Sequence, residues 1–111
     1  MTASKNYSVE DIRVVGRDGR LMVREFTVTA GQEVPWHQHT DVTDHCYGLE
    51  GAVRVQCAGA KGQQDFILAP GQSCVLEPGT RHRLTCGEGA VARYLLVQVG
   101  AYDFVKVPAP T

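Results

Sequence analysis

The chain has 111 residues, 43% of them hydrophobic, and its 11 basic and 12 acidic side chains leave a formal charge of −1. That supports one core and is too short for two by ordinary domain sizes, so a single domain over residues 1–111 is expected. The scattered, balanced charge lacks the basic face that nucleic acid requires, and no run nears the roughly 20 apolar residues of a membrane helix, so neither is expected as a partner.

The first ten residues, Met1–Glu10, are polar and have no apolar core of a secretory signal. Cys46, Cys57, Cys74 and Cys86 form no CxxC pair. They read as reduced thiols, and a cytoplasmic protein is expected.

Fifteen Val, eight Thr and two Ile stand against seven Leu and two Met. β-Branched side chains favour sheet because they fit a pleated, half-buried surface. In chain order, Asp18-Gly19 separates a first strand, Ile12–Val15, from a second, Leu21–Thr29, and predicts a tight hairpin. Along Leu21–Thr29, Met22, Arg24, Phe26 and Val28 share one face. A segment from Gly31 to His45 follows. Val53, Val55 and Cys57 then alternate with Arg54 and Gln56, predicting a half-exposed strand. The stretch Val91–Val99 is apolar at both phases, which predicts burial on both faces. Turn signals at Ala30-Gly31, Glu50-Gly51, Pro70-Gly71, Pro78-Gly79 and Gly87–Gly89 separate the segments. Short strands with regular turns and no helical period predict an all-β, antiparallel barrel. Both ends, Met1–Asn6 and Pro108–Thr111, are expected to fray.

Three of the four histidines fall between residues 37 and 45. His37 and His39 are two apart, so an extended backbone projects both imidazoles from one face. Two adjacent imidazoles resist double protonation, and a divalent metal satisfies both, since neutral imidazole is its commonest ligand. His82 is distant in sequence, just after the Pro78-Gly79 turn, and only a fold can deliver it to the pair. Taken singly, Asp44 reads as a turn residue and His82 as a satisfied or solvated histidine.

The joint spacing resembles the cupin superfamily. Gly31, five residues, His37, one residue, His39, four residues, Asp44, six residues and Gly51 match the first cupin motif, with Asp in place of the usual Glu. The second motif is matched by Gly71, Gly79 and His82, with proline displaced to Pro78, Glu77 at its usual place, and Cys86 where the family has Asn. The metal motifs thus occupy residues 31–51 and 71–86.

This resemblance implies a double-stranded β-helix, a jelly-roll-like antiparallel barrel, with one metal centre inside its mouth. It implies His37, His39 and His82 as imidazole ligands and Asp44 as the carboxylate ligand of a divalent transition metal (Fe, Mn, Ni, Zn or Cu). Asp reaches about 1.5 Å less than Glu, roughly one carbon–carbon bond. The fourth position is therefore open between Asp44, His45 turned inward by a bulge, and no protein ligand. Trp36 opposes His37 in phase and reads as packing. Tyr47 and Tyr94 read as packing or pocket wall, and Phe26, Val28, Val53, Val55, Leu84 and Leu96 as barrel filling. Cys46 and Cys86 read as structural thiols near the centre. Arg81 and Arg83 should point away from His82. Asp41, Glu50 and Glu77 have no geometry that makes any of them a base, so no catalytic acid or base is assigned.

Three functions are compatible with this pattern. The first is a metal-dependent enzyme acting on a small organic molecule, of dioxygenase, decarboxylase, isomerase or lyase type. The second is a non-catalytic module that binds a small ligand or the metal. The third is a metal-free dimeric scaffold. A homodimer is implied, with Val91–Val99 as a candidate interface. A chain this short is expected to have no lid, leaving specificity to the barrel's inner wall.

Overall fold

The computed structural model describes the backbone of residues 2–3 and residues 7–110. The described strands are β1 (Thr2–Ala3), β2 (Ser8–Val9), β3 (Asp11–Asp18), β4 (Leu21–Thr29) and β5 (Glu33–Gln38). They continue as β6 (Asp41–Gly59), β7 (Gly62–Leu68), β8 (Ser73–Leu76), β9 (Arg81–Ala101) and β10 (Val105–Lys106). All their pairings are antiparallel, and no helix occurs among the described residues. No helix there is long and apolar enough to cross a membrane.

The long strands β6 and β9 organise the barrel. They pair with each other from Asp41↔Ala101 to Ala58↔Arg81, with register shifts between Gly48 and Val53. At that corner both strands pass from one layer to the other. The first layer runs β3, β4, the second half of β9, the first half of β6, then β8. The second runs β2 and β10 beside β5, then the first half of β9, the second half of β6, and β7. This is the expected all-β double-stranded β-helix.

Gly51 sits at the corner with φ +68°, and a Cβ there would lie 2.2 Å from the Val91 carbonyl oxygen. Only glycine combines that conformation with so close an approach. Between the layers, Phe26, Val28, Val53, Val55, Leu84 and Leu96 are buried as the alternation predicts. Phe26 stacks on Tyr94 with ring centroids 5.1 Å apart.

Several expectations need correction. The β3–β4 hairpin turns through Gly19 and Arg20, because Asp18 already pairs with Leu21. Val91–Val99 is buried on one face only: Ala92, Tyr94, Leu96 and Gln98 point inward, while Val99 is 46% exposed. Neighbouring strands cover its edges on both sides, but no second layer covers its outer face. The N-terminal end expected to fray is partly tied down, because Thr2–Ala3 pairs with Ser8–Val9. Met1, residues 4–6 and Thr111 lie outside the described residues.

Candidate metal centre

His37 reaches the interior through a defect in its strand. Val34 pairs with Leu84 and His37 with His82, so β5 carries one residue more than β9 between these pairs. In a regular strand Val34 and His37, three apart, would face opposite ways. The extra residue at Pro35–Trp36 resets the phase, and both Val34 (4% exposed) and His37 (3%) point inward. Proline suits such a site because it has no N–H to give to a ladder. Trp36 is left half-buried on the outer side, as its phase predicts.

His39 lies just beyond β5, again facing inward and 3% exposed. The distant His82 is delivered by the β8–β9 turn. Thr80 N–H donates to the Glu77 carbonyl at 3.1 Å around Pro78 and Gly79 (φ +81°). Proline followed by a positive-φ glycine is the signature of a type II turn, and it accounts for the displaced proline. Gly79 N–H then donates to the His39 carbonyl at 2.9 Å, fastening the second motif onto the first.

The three imidazoles form a compact group, with ring centroids 4.1 Å apart for His37–His82, 4.9 Å for His37–His39 and 5.4 Å for His39–His82. All three come from the second layer. Asp44 faces them from β6 in the first layer and is 1% exposed. Its Oδ2 lies 3.1 Å from His82 Nε2 and 3.3 Å from His39 Nε2. One potential ligand atom from each of the four residues lies within 4.8 Å of every other. The shorter Asp side chain therefore does reach the group. His45 does not join it: it is half-exposed on the opposite face of β6.

The outer nitrogens are all engaged. Nδ1 of His37, His39 and His82 lies 2.7, 2.5 and 2.9 Å from the carbonyl oxygens of Pro35, Asp103 and Thr80. A carbonyl only accepts, so each Nδ1 carries the proton and donates it. In a neutral ring that leaves Nε2 as a lone pair. Nε2 of His39 and of His82 is buried with no aligned hydrogen bond. Burial, then the neighbouring His82, holds the His37 pKa down to about 3, so this ring is neutral at pH 7. Burial disfavours charge on His39 too, but the Asp44 carboxylate outweighs it and raises that pKa. Burial would raise the Asp44 pKa, yet the facing His39 and His82 rings drive it below the usual carboxylate range. The cluster thus sets a buried carboxylate against ring nitrogens that have no aligned hydrogen bond, an arrangement that a cation satisfies. Metal–nitrogen and metal–oxygen bonds of about 2.0–2.2 Å place neighbouring ligand atoms roughly 3–3.5 Å apart. The Asp44 contacts fall in that range.

Around the centre lie residues that the sequence reading passed over. Gln98 Nε2 donates to Asp44 Oδ1 at 3.0 Å, and Arg24 Nη2 donates to Gln98 Oε1 at 2.6 Å. Arg24 had a legible signal, being in phase with Phe26 and Val28. Gln98 shares the inner phase of Leu96 and Tyr94. The barrel strands are not the only lining of the site, because the segment Tyr102–Phe104 packs against the histidines. Phe104 stacks on His37 at 4.2 Å, Tyr102 lies 5.6 Å from the His39 ring, and the Asp103 carboxylate accepts from Thr40 N–H at 2.8 Å and Oγ1–H at 2.6 Å. The cavity lined by Arg24, Asp44, Gln98, Tyr94, Tyr102 and Phe104 holds about 10 Å³ of space. That admits about one water.

The remaining expected residues fall as follows. Tyr94 is buried at the cavity wall, and burial raises its phenol pKa. Tyr47 is 40% exposed. Cys46 is buried in the core, Cys86 is half-buried with Sγ donating to the Glu88 carbonyl at 3.3 Å, and none of the four cysteines forms a disulfide. Arg83 points away from the cluster, donating to Glu33 at 2.7 Å and to Gln56 at 2.9 Å.

Fold and site together define a double-stranded β-helix with a buried three-histidine, one-carboxylate cluster compatible with a metal. The chain belongs to the cupin family: the family's cupin-domain model matches residues 24–98. Solved structures show the same fold at low identity. A conserved Klebsiella pneumoniae protein with a double-stranded β-helix domain is 16% identical with a TM-score of 0.76, over 98% of this chain and 90% of that one. A Thermus thermophilus protein is 21% identical with a TM-score of 0.73, over 88% and 87%. An oxalate oxidase is 16% identical with a TM-score of 0.72, over 79% of this chain and 46% of its own, so the match spans about half of that enzyme. No curated protein matches the sequence.

Proposed function

We propose that His37, His39, Asp44 and His82 hold a divalent transition metal and that this cupin acts on a small organic molecule. One observation carries this reading: the unpartnered Nε2 atoms of His39 and His82 lie against Asp44 Oδ2 in a buried cluster. When bound, such a metal supplies Lewis acidity and a template for ligands at its open positions. The chain's own groups do the rest. The carbonyls of Pro35, Thr80 and Asp103 hold the imidazole tautomers, Gln98 orients the Asp44 carboxylate, and Tyr102 and Phe104 exclude water. The small cavity supports a small ligand. A structural neighbour, oxalate oxidase, is described with the substrate analogue glycolate, which supports that scale of molecule and leaves the reaction open.

Elemental analysis after loading with Fe, Mn, Ni, Zn and Cu tests the reading. Wild type should retain about one ion per chain, and His37→Ala and His82→Ala should retain almost none. Wild type that takes up no metal overturns it. The small size of the cavity favours a second reading, a binding module without turnover. A metal-loaded protein that consumes no oxygen and converts no member of a panel of phenolic and keto acids selects that reading.

The half-exposed outer face of β9, with Val97 and Val99 across β6 from Val75 of β8, supports a homodimer. Sedimentation equilibrium at twice the monomer mass is the expected result. Four free thiols support a reducing, cytoplasmic setting.

A further inference from the structure

Arg24 is a buried cation with no anion beside it. It lies on β4 opposite Leu96, points inward with Phe26 and Val28, and is 9% exposed. Its guanidinium carbon stands 5.2 Å from the Phe26 ring centroid and 5.5 Å from that of Tyr102. Its polar partners are neutral. Nη1 donates to the Tyr7 hydroxyl at 3.1 Å, and Nη2 donates to the Gln98 carbonyl oxygen at 2.6 Å. Nε is buried with no partner. Among the described residues no carboxylate pairs with it.

Stability alone disfavours this arrangement. A buried guanidinium is costly unless a counter-charge faces it, and hydrocarbon of equal volume would pack more favourably. The nearest acid of the site, Asp44, is reached only through Gln98, and its other oxygen is turned to the histidines. Arg24 also lines the same small cavity as His37, His39, Asp44 and His82. Neutral imidazoles add no charge, and a divalent ion outweighs the single carboxylate. The cavity would then hold excess positive charge from two directions, the ion and the guanidinium. A planar carboxylate suits a guanidinium, whose forked N–H donors match its two oxygens.

We propose that Arg24 is the anion-recognition residue of this cavity and that the small organic molecule bound there carries a carboxylate. The inference deepens the proposed function and rests on its cavity. Binding requires the cavity wall, which includes Tyr102 and Phe104, to give way, since the space is too small for even a two-carbon acid.

Calorimetric titration of zinc-loaded protein with acetate and with acetamide, at constant ionic strength, tests this. The two probes share their shape and differ in charge. Acetate should bind wild type at least about tenfold more tightly than acetamide, and Arg24→Gln should lose at least about tenfold of the acetate affinity while leaving acetamide unchanged. Equal affinity for both probes in wild type, or equal acetate affinity in wild type and Arg24→Gln, overturns the inference. Should Arg24→Gln fail to fold, Arg24→Lys takes its place: the forked donor is lost, so acetate should weaken several-fold, and unchanged affinity overturns the inference. Zinc content is measured on the same samples. Protein that holds zinc without the acetate preference sinks the anion site and leaves the metal reading standing. Protein that takes no zinc sinks the metal reading, and an acetate preference that still depends on Arg24 in it supports the anion site.

Discussion

Gln98 Nε2 donates to Asp44 Oδ1 at 3.0 Å, so one carboxylate oxygen is held and the other is presented to His39 and His82. Both residues are almost wholly buried, at 3% and 1% exposure, and the bond joins adjacent strands at directly opposed positions of β6 and β9. Gln98→Leu keeps the volume and removes the donor. Metal affinity should fall about 10–100-fold, the usual cost of losing a group that orients a ligand. Competition with a calibrated chelator measures it, and an unchanged affinity would show that Asp44 needs no such support.

Phe104 closes the mouth by stacking on His37. Phe104→Ala should accelerate chelator extraction of bound metal several-fold, because the cap's packing would be lost while the four cluster side chains remain. The stability loss should stay below the ~3–5 kcal/mol of a core Phe→Ala change, since this ring is only partly buried. Extraction at the wild-type rate would mean that metal leaves by another route.

Gly51 marks the corner where β6 changes layers. Gly51→Ala should cost at least about 2 kcal/mol in urea unfolding, from the left-handed backbone and the approach to the Val91 carbonyl together. A loss of a few tenths would show that the corner can shift to make room.

Glu25 provides a test of pH dependence remote from the histidines. It accepts from Arg93 Nε at 3.1 Å and also from Arg93 Nη2, and from Arg13 Nη2 at 2.9 Å. Hydrogen bonds from Arg93 and then Arg13 lower its pKa from 4.5. A lowered folded pKa means that the unfolded chain takes up the proton first. The stabilisation is therefore complete above pH 4.5 and is lost as pH falls through the lower folded value. Glu25→Gln should destabilise the protein by about 1 kcal/mol or less at pH 7 and flatten stability against pH on the acid side. Parallel curves for the two proteins between pH 6 and pH 3 would dismiss this contribution.

Local chemistry carried much of this protein into its sequence. Alternation placed Val53, Val55 and Cys57 inside and Arg54 and Gln56 outside, because a strand's side-chain period of two needs no long-range information. The two-residue spacing of His37 and His39 was legible for the same reason. The turn before His82 was legible because proline and glycine dictate their own dihedrals. Where alternation is broken, the sequence misleads. The extra residue at Pro35–Trp36 brings Val34 and His37 to one face, and only pairing with Leu84 and His82 reveals it.

The sequence by itself determined an all-β chain, a cupin-like spacing and three histidines spaced as candidate metal ligands. Tertiary structure decided which of Asp44 and His45 faces the histidines across the interlayer gap. It also decided that Arg24 and Gln98 stand behind Asp44 and that Tyr102–Phe104 covers the mouth. The reason is physical. Dihedral preference and strand phase act over a few residues, whereas reach, burial and closure depend on register between segments 54 to 74 residues apart, such as Asp44 with Gln98 and Arg24 with Gln98. That register is set only when the barrel closes.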